Sequence, residues 1–296
     1  MPEAIAITEN FNAGKPGSLV LKDALKLVET NYKAAEGGSF AGIPTGIGPL
    51  DDLMGGLQTG LHIVAAQPGA GKTALALNIA RHCSHEGYPV VYASFDETPE
   101  RLLIKMITAQ MNLNAGAIFR GAVDPAKLEE AANRYCHGKL NNISFMSAIH
   151  LTAADFRAQF LDQLAESPRD KGLIVVDYLQ PWAAVISTTQ GIDFRQAVGQ
   201  AAIQLRSLAN SLDIPVIVIS AQNRTGQNTQ NMTSLRESSD LEYSADSVML
   251  IKTDDKTVLG GGYYARELHV AKNRFGESGV SLPLALNGKS QQIMAG

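Results

Sequence analysis

Apolar positions along this chain recur with two periods, and the changes from one to the other mark out its elements. Short apolar runs closed by small or polar residues, Leu61 to Ala65, Pro89 to Phe95, Gly172 to Val176 and Ile214 to Ile219, predict strands buried on both faces. Between them, Ala74 to Arg81, Pro99 to Gln110, Ala153 to Glu166 and Phe194 to Leu212 carry helix formers at helical spacing. Strands alternating with helices predict an α/β domain built on a mostly parallel, twisted central sheet flanked by helices. Three later runs, Ser247 to Ile251, Ala265 to Val270 and Gly279 to Ala285, follow without long helices between them and predict an antiparallel edge at the C-terminus. Pro181 to Gln190 reads as irregular, and Thr225 to Thr233, rich in turn and amide residues, reads as a mobile surface loop.

The N-terminal part is organised differently. Residues 1–17 carry Asn, Gly and Pro and read as a flexible tail. From Ser18, taken as an N-cap, Leu21, Leu25, Val28 and Tyr32 recur at helical spacing among charged residues, which predicts one amphipathic helix over 18–36. A lone helix of this length is marginal in water, so its stripe is expected to dock, either on its own domain or on a neighbouring subunit. Gly37-Gly38-Ser39 separates it from the main domain, 37–296, whose glycine-punctuated entry from Gly42 to Leu57 predicts turns.

Composition narrows the classes. With 296 residues and 45% apolar content the chain can bury one sizeable core. A net charge of −4 argues against a protein that coats nucleic acid by bulk electrostatics, while leaving a local basic channel open. Cys83 and Cys136 stand in no ligand or redox spacing, which fits a reduced cytoplasmic protein with inert thiols. The first residues have no export pattern, and no apolar run reaches the length of a membrane span, so no membrane partner is expected.

The chemistry concentrates at Ala66-Gln67-Pro68-Gly69-Ala70-Gly71-Lys72-Thr73, between the first strand and a helix. Such a loop wraps a polyphosphate with backbone N–H groups, neutralises it with Lys72 and holds Mg²⁺ through the Thr73 hydroxyl. Gln67, Pro68, Gly69, Ala70, Gly71, Lys72, Thr73 and Ala74 are therefore the candidate nucleotide-binding residues. Ala66 replaces the usual first glycine, which is tolerated if its φ stays negative. Asp96 and Glu97 follow the second strand at the edge facing the ligand crevice, and one of them is placed to orient the attacking water. Asp177 closes a buried strand where it can reach the Mg²⁺ shell, and Gln222 at the tip of another is a candidate sensor of the terminal phosphate. Lys272 and Arg274, in a cationic turn, are either solvated or able to reach a phosphate on an adjacent subunit.

Taken together, several stretches resemble the C-terminal motor domain of the DnaB-type replicative helicases, a branch of the RecA-like P-loop ATPases. They are Gly42 to Gly46, Gly56-Leu57-Gln58, the run from Gly71 to Ala80, Asp177 to Gln180, Ser220 to Arg224, Leu235 to Ser238, Ala245-Asp246 and the Lys272/Arg274 pair. They occur in the family's order over residues from about 18 to about 285. The resemblance implies an ATP- and Mg²⁺-dependent helicase that forms a homo-oligomeric, hexameric ring and moves 5′ to 3′ on single-stranded DNA. It implies Asp177 as the Walker B acid, Gln222 as the γ-phosphate sensor, and Lys272 and Arg274 as fingers reaching the neighbour's ATP. The helix over 18–36 would then be a linker helix docking on the adjacent subunit. Alignment on Ser94 puts Asp96 where the family has its catalytic glutamate, and Glu97 stays a second candidate. The loops expected to line the ring's channel, near 183–195 and 224–236, supply Arg195, Arg224 and Arg236 as the DNA-binding candidates. The family's N-terminal collar domain is expected to be absent, and a helicase loader or a primase is a further partner the resemblance suggests. An ATP-switched assembly or regulatory RecA-like ATPase, RadA- or KaiC-like or helicase-loader-like, without strand translocation is the alternative.

Overall fold

The computed structural model describes residues 16–136, 142–147, 151–221 and 239–296. The chain divides after Ala41 into two units, each described by itself. The first contains α1, Gly17–Glu36. It starts one residue earlier than Ser18 because Pro16, which lacks an N–H and has φ near −54°, occupies the cap position; no side-chain cap is formed. Leu21, Leu25, Val28 and Tyr32 are all exposed along it.

The second unit runs in the order α2 (Gly48–Met54), β1 (Gly60–Ala66), α3 (Lys72–His85), β2 (Val90–Ser94), α4 (Pro99–Met111), α5 (Ala115–Phe119) and α6 (Pro125–Cys136). Then follow β3 (Ile143–Ser147), α7 (Ala153–Ala165), β4 (Leu173–Asp177), α8 (Leu179–Gln190), α9 (Phe194–Leu212) and β5 (Pro215–Ala221). The chain closes with α10 (Ser239–Ser244), β6 (Ser247–Gly260), β7 (Tyr263–Asn273), β8 (Val280–Asn287) and β9 (Gln292–Ala295).

Among the described residues these strands form one sheet in the order β3-β2-β4-β5-β1-β6-β7-β8-β9. From β3 to β6 every pairing is parallel, and from β6 to β9 every pairing is antiparallel. β1 is buried along its whole length. Side chains alternate across a strand, so it feeds two cores. Leu61, Ile63 and Ala65 pack with Phe156, Phe160, Trp182 and Leu205 on one face. Val64 and Ala66 pack with Leu75, Ile79 and the Leu284–Leu286 strand on the other.

Three details differ from the expectation drawn from sequence. Residues 181–190 are helical, within α8, because Leu179, Trp182, Ala183 and Ile186 fall on one buried face and Pro181 sits in the first turn, where its absent N–H costs nothing. Gly191, with φ near 66°, ends that helix. Arg195 accordingly belongs to the first turn of α9, and 183–195 is not a loop. Third, β6 continues past Ile251 to Gly260, a stretch held by pairing with β7, and β9 adds a short strand at the C-terminus.

His62 is fully buried on β1, bridging Ser247 and the Gln58 carbonyl. A carbonyl only accepts, so Nε2 carries the proton and donates to Gln58 at 2.7 Å, while Nδ1 accepts from the Ser247 hydroxyl at 2.8 Å. Burial lowers the pKa of this imidazole from 6.5. A group with a depressed folded pKa contributes stability above its unfolded pKa and loses it as pH falls through the folded value. The melting-temperature advantage of the wild type over His62→Gln should therefore be larger at about pH 7.5 than at about pH 5.5 in thermal unfolding scans.

Candidate functional site

The phosphate loop leaves the carboxyl end of β1, and its backbone is set by glycines where a side chain would be strained. Gly69 and Gly71 have φ near 79° and 106°. A Cβ on Gly71 would also meet the Leu286 side chain at 3.0 Å. Ala66 is not among the positive-φ residues, so the methyl group in place of a glycine is accommodated without strain. α3 begins at Lys72, with its N-terminal N–H groups at the same place.

A cavity of about 400 Å³ opens over this loop. Pro68, Gly69, Gly71, Lys72, Thr73 and Ala74 line it together with Asp96 and Asp177. Gln67 and Ala70 do not line it. Ala70 is buried in the core, and Gln67 contributes its carbonyl to Lys72.

The Lys72 ammonium folds back onto its own loop, donating to the carbonyls of Ala66 and Gln67 at 2.9 Å each. Burial lowers its pKa, and the charge of Asp177 opposes that. Among the described residues this partly desolvated cation hydrogen-bonds carbonyl oxygens and feels the charge of Asp177, and a polyphosphate in the cavity would give it charged partners.

Asp177 ends β4 and is buried. Its Oδ2 accepts from the Tyr92 hydroxyl at 2.8 Å, and the Thr73 hydroxyl also donates to it. Burial raises its pKa; those two donors hold it down, and the nearby charges of Glu97 and Asp96 raise it further. Thr73 and Asp177 thus stand together as an oxygen pair of the kind a hard divalent cation takes.

The two acids after β2 separate. Asp96 lines the cavity, whereas Glu97 is paired with Lys105 of α4. Lys105 lines the cavity too, together with Tyr178, Leu286 and Gln291, the last two from the β8–β9 hairpin. Tyr178 directly follows Asp177 in one of the stretches quoted above, whereas Lys105, Leu286 and Gln291 reach the loop only through tertiary packing.

Lys272 and Arg274 lie elsewhere. Lys272 donates to the Glu242 carbonyl at 2.7 Å, and Arg274 bonds Asp246 at 2.9 Å and the Tyr243 carbonyl at 3.3 Å. In the register, β7's Asn273 sits beside Ser247, which sits beside His62 near the amino end of β1. The loop is at the carboxyl end, so roughly 15 Å of strand separates these cations from the cradle of the same chain. Gln222, Arg224 and Arg236 lie outside the described residues. In the first turn of α8, the Gln180 amide ties that helix to β5, donating to Ser220 Oγ at 2.9 Å and accepting from the Ala221 N–H at 3.1 Å.

A phosphate loop on the central strand, a buried acid closing a second strand and an antiparallel C-terminal edge define a RecA-like P-loop ATPase fold. Residues 42–294 match the DnaB-like helicase C-terminal domain family, and the chain belongs to that family. The chain is 33% identical over 262 residues to the replicative DNA helicase DnaB of Geobacillus stearothermophilus, covering 82% of this chain and 54% of that protein. It is 32% identical over 282 residues to the replicative DNA helicase DnaC of Bacillus subtilis, covering 88% of this chain and 58% of that protein. The chain thus spans little more than half the length of these curated relatives. In fold it is similar to a solved structure described as an ATPase domain, with a TM-score of 0.80 at 23% identity, covering 93% of this chain and 98% of that one. It is also similar to a DnaB-like replicative helicase described with its interactions with primase, with a TM-score of 0.76 at 22% identity, covering 92% of this chain and 66% of that one.

The hydroxyl of Tyr92 is one of two donors that hold the Asp177 pKa down against burial. Tyr92→Phe removes it, which raises the Asp177 pKa and moves the acid limb of the ATPase pH profile toward higher pH, with a smaller loss at alkaline pH. A pH–rate profile of the two proteins checks this.

Proposed function

We propose that this chain is an ATP-driven, ring-forming translocase on single-stranded DNA that acts as a replicative helicase. The observation that carries the reading is the position of the cradle and the cations at opposite ends of β1. A site containing both Lys72 and Arg274 can then form only between two copies, with one giving the loop and the other the positive charge.

Within such a site the residues take separate roles. The loop's N–H groups and Lys72 bind the phosphates of ATP, and Asp96 orients a water toward the γ-phosphorus and takes its proton as the bond to ADP breaks. Thr73 and Asp177 would hold Mg²⁺, which when bound draws charge from the β- and γ-phosphate oxygens. Lys272 and Arg274 of the neighbouring copy stabilise the charge on the transferred group. Gln222 senses the γ-phosphate, and its loop, with Arg195, Arg224 and Arg236, passes the strand between subunits of a hexamer. The segment 18–36 docks on the adjacent subunit through the stripe Leu21, Leu25, Val28 and Tyr32, and 37–296 is the motor. A loader or a primase is the expected further partner, and the cytoplasm the expected compartment. Among the described residues no helix is long and apolar enough to cross a membrane.

Lys72→Ala should lower ATP hydrolysis by at least about 100-fold. Arg274→Ala should do the same while nucleotide binding, followed by a fluorescent ATP analogue, stays near wild type. Mixing the two inactive proteins should recover part of the activity, since each then contributes its intact half to some interfaces; no recovery would contradict the shared site. Single-stranded DNA should stimulate hydrolysis several-fold in the wild type. Rings that form with ATP but ignore DNA would instead mark an assembly switch without transport.

A further inference from the structure

Arg274 is not free in the subunit that owns it. Its Nη1 donates to Asp246 Oδ1 at 2.9 Å, and its backbone N–H bonds the Asp246 carbonyl at 2.9 Å, so cation and carboxylate are held at a set spacing. The same Oδ1 accepts from Arg206 Nη2 of α9 at 3.2 Å, and Oδ2 accepts from the Leu61 N–H at 3.0 Å. The carboxylate presses on Gly60, where a Cβ would lie 2.5 Å from Oδ2. Its side chain is 10% exposed, against 42% for Arg274 and 34% for Arg206.

We infer that Asp246 and Arg206 are positioning residues for Arg274, storing it within its own subunit and releasing it to the neighbour's phosphate at little cost; this rests on the reading that Arg274 acts across the interface. A mostly buried carboxylate that loses its only cation is left uncompensated, which is expensive. Here Arg206 and the Leu61 N–H stay on Asp246 after Arg274 departs. Two cations sharing one oxygen also repel each other, so Arg274 is held less firmly than in a simple pair. The half-exposed Arg206–Asp246 pair adds little stability by itself. Its consequence is for the equilibrium between stored and extended Arg274.

The test uses the full chain, with ATPase kinetics and thermal melting measured together. Arg206→Gln should lower kcat about tenfold with KM for ATP within about twofold of wild type and Tm little changed, because Arg274 is then needed at Asp246. Arg206→Lys should restore most of the rate, and Arg206→Gln with Asp246→Asn should relieve the loss by removing the charge that retains Arg274. In rings mixed from Lys72→Ala and Arg274→Ala proteins, Arg206→Gln should depress the recovered activity when carried by the Lys72→Ala partner, which supplies Arg274. It should have no effect when carried by the Arg274→Ala partner. A kcat within about twofold of wild type, a loss that ignores which partner carries the change, or a Tm that falls in step with kcat would each overturn the inference. If Arg274→Ala alone is fully active, the interface reading falls as well; if it is inactive while Arg206→Gln is silent, only the storage falls.

Discussion

The parallel pairing of β1 with β5 on one side and β6 on the other governs the molecule. Seven consecutive β1 residues are buried, and the strand is locked in register from Gly60 beside Pro215 to Ala66 beside Ala221. Its direction decides the chemistry. The carboxyl end opens into the phosphate loop, and the amino end is fastened through the Leu61 N–H to Asp246, which holds Arg274. A reversed or slipped β1 would exchange its two faces between the cores and separate the loop from Asp177.

Charge is distributed along that axis in complementary halves. At the loop, Lys72 is partly desolvated, burial raises the Asp177 pKa while the Tyr92 and Thr73 hydroxyls hold it down, and the cavity is lined by Lys72, Lys105, Asp96 and Asp177. At the other end two arginines share one carboxylate, leaving positive charge to spare. In the ring proposed above, stacking copies head to tail would bring the positive charge at one end of a copy to the phosphates bound at the other end of the next. Such heterologous contacts close into rings when the rotation allows, which agrees with the hexamer proposed above.

Much of this was legible in the sequence because it is local. Four apolar runs, a glycine loop ending in Lys72-Thr73 and an aspartate closing a buried strand are patterns of neighbouring residues, and family membership follows from their order. What sequence left open depended on distant contacts. Which of Asp96 and Glu97 lines the cavity depends on Lys105, eight residues on in the next helix, which pairs with Glu97 while Asp96 faces the cavity. α8 was obscured by Pro181, whose position in the first turn is visible only once the helix start at Leu179 is known. The polar half of β6 has no apolar period, and pairing with β7 alone makes it a strand. The share of Asp246 between Arg206 and Arg274 brings together α9, the start of β6 and the end of β7, a conjunction with no signature in any one stretch.

The central claim is that turnover belongs to the seam between copies. ATPase rate per chain, followed over a dilution series with mass measured at each concentration, addresses it directly. Activity should collapse together with the oligomer, reaching a negligible rate per chain where only single copies remain. A monodisperse single copy that hydrolyses ATP at the undiluted rate would contradict the account.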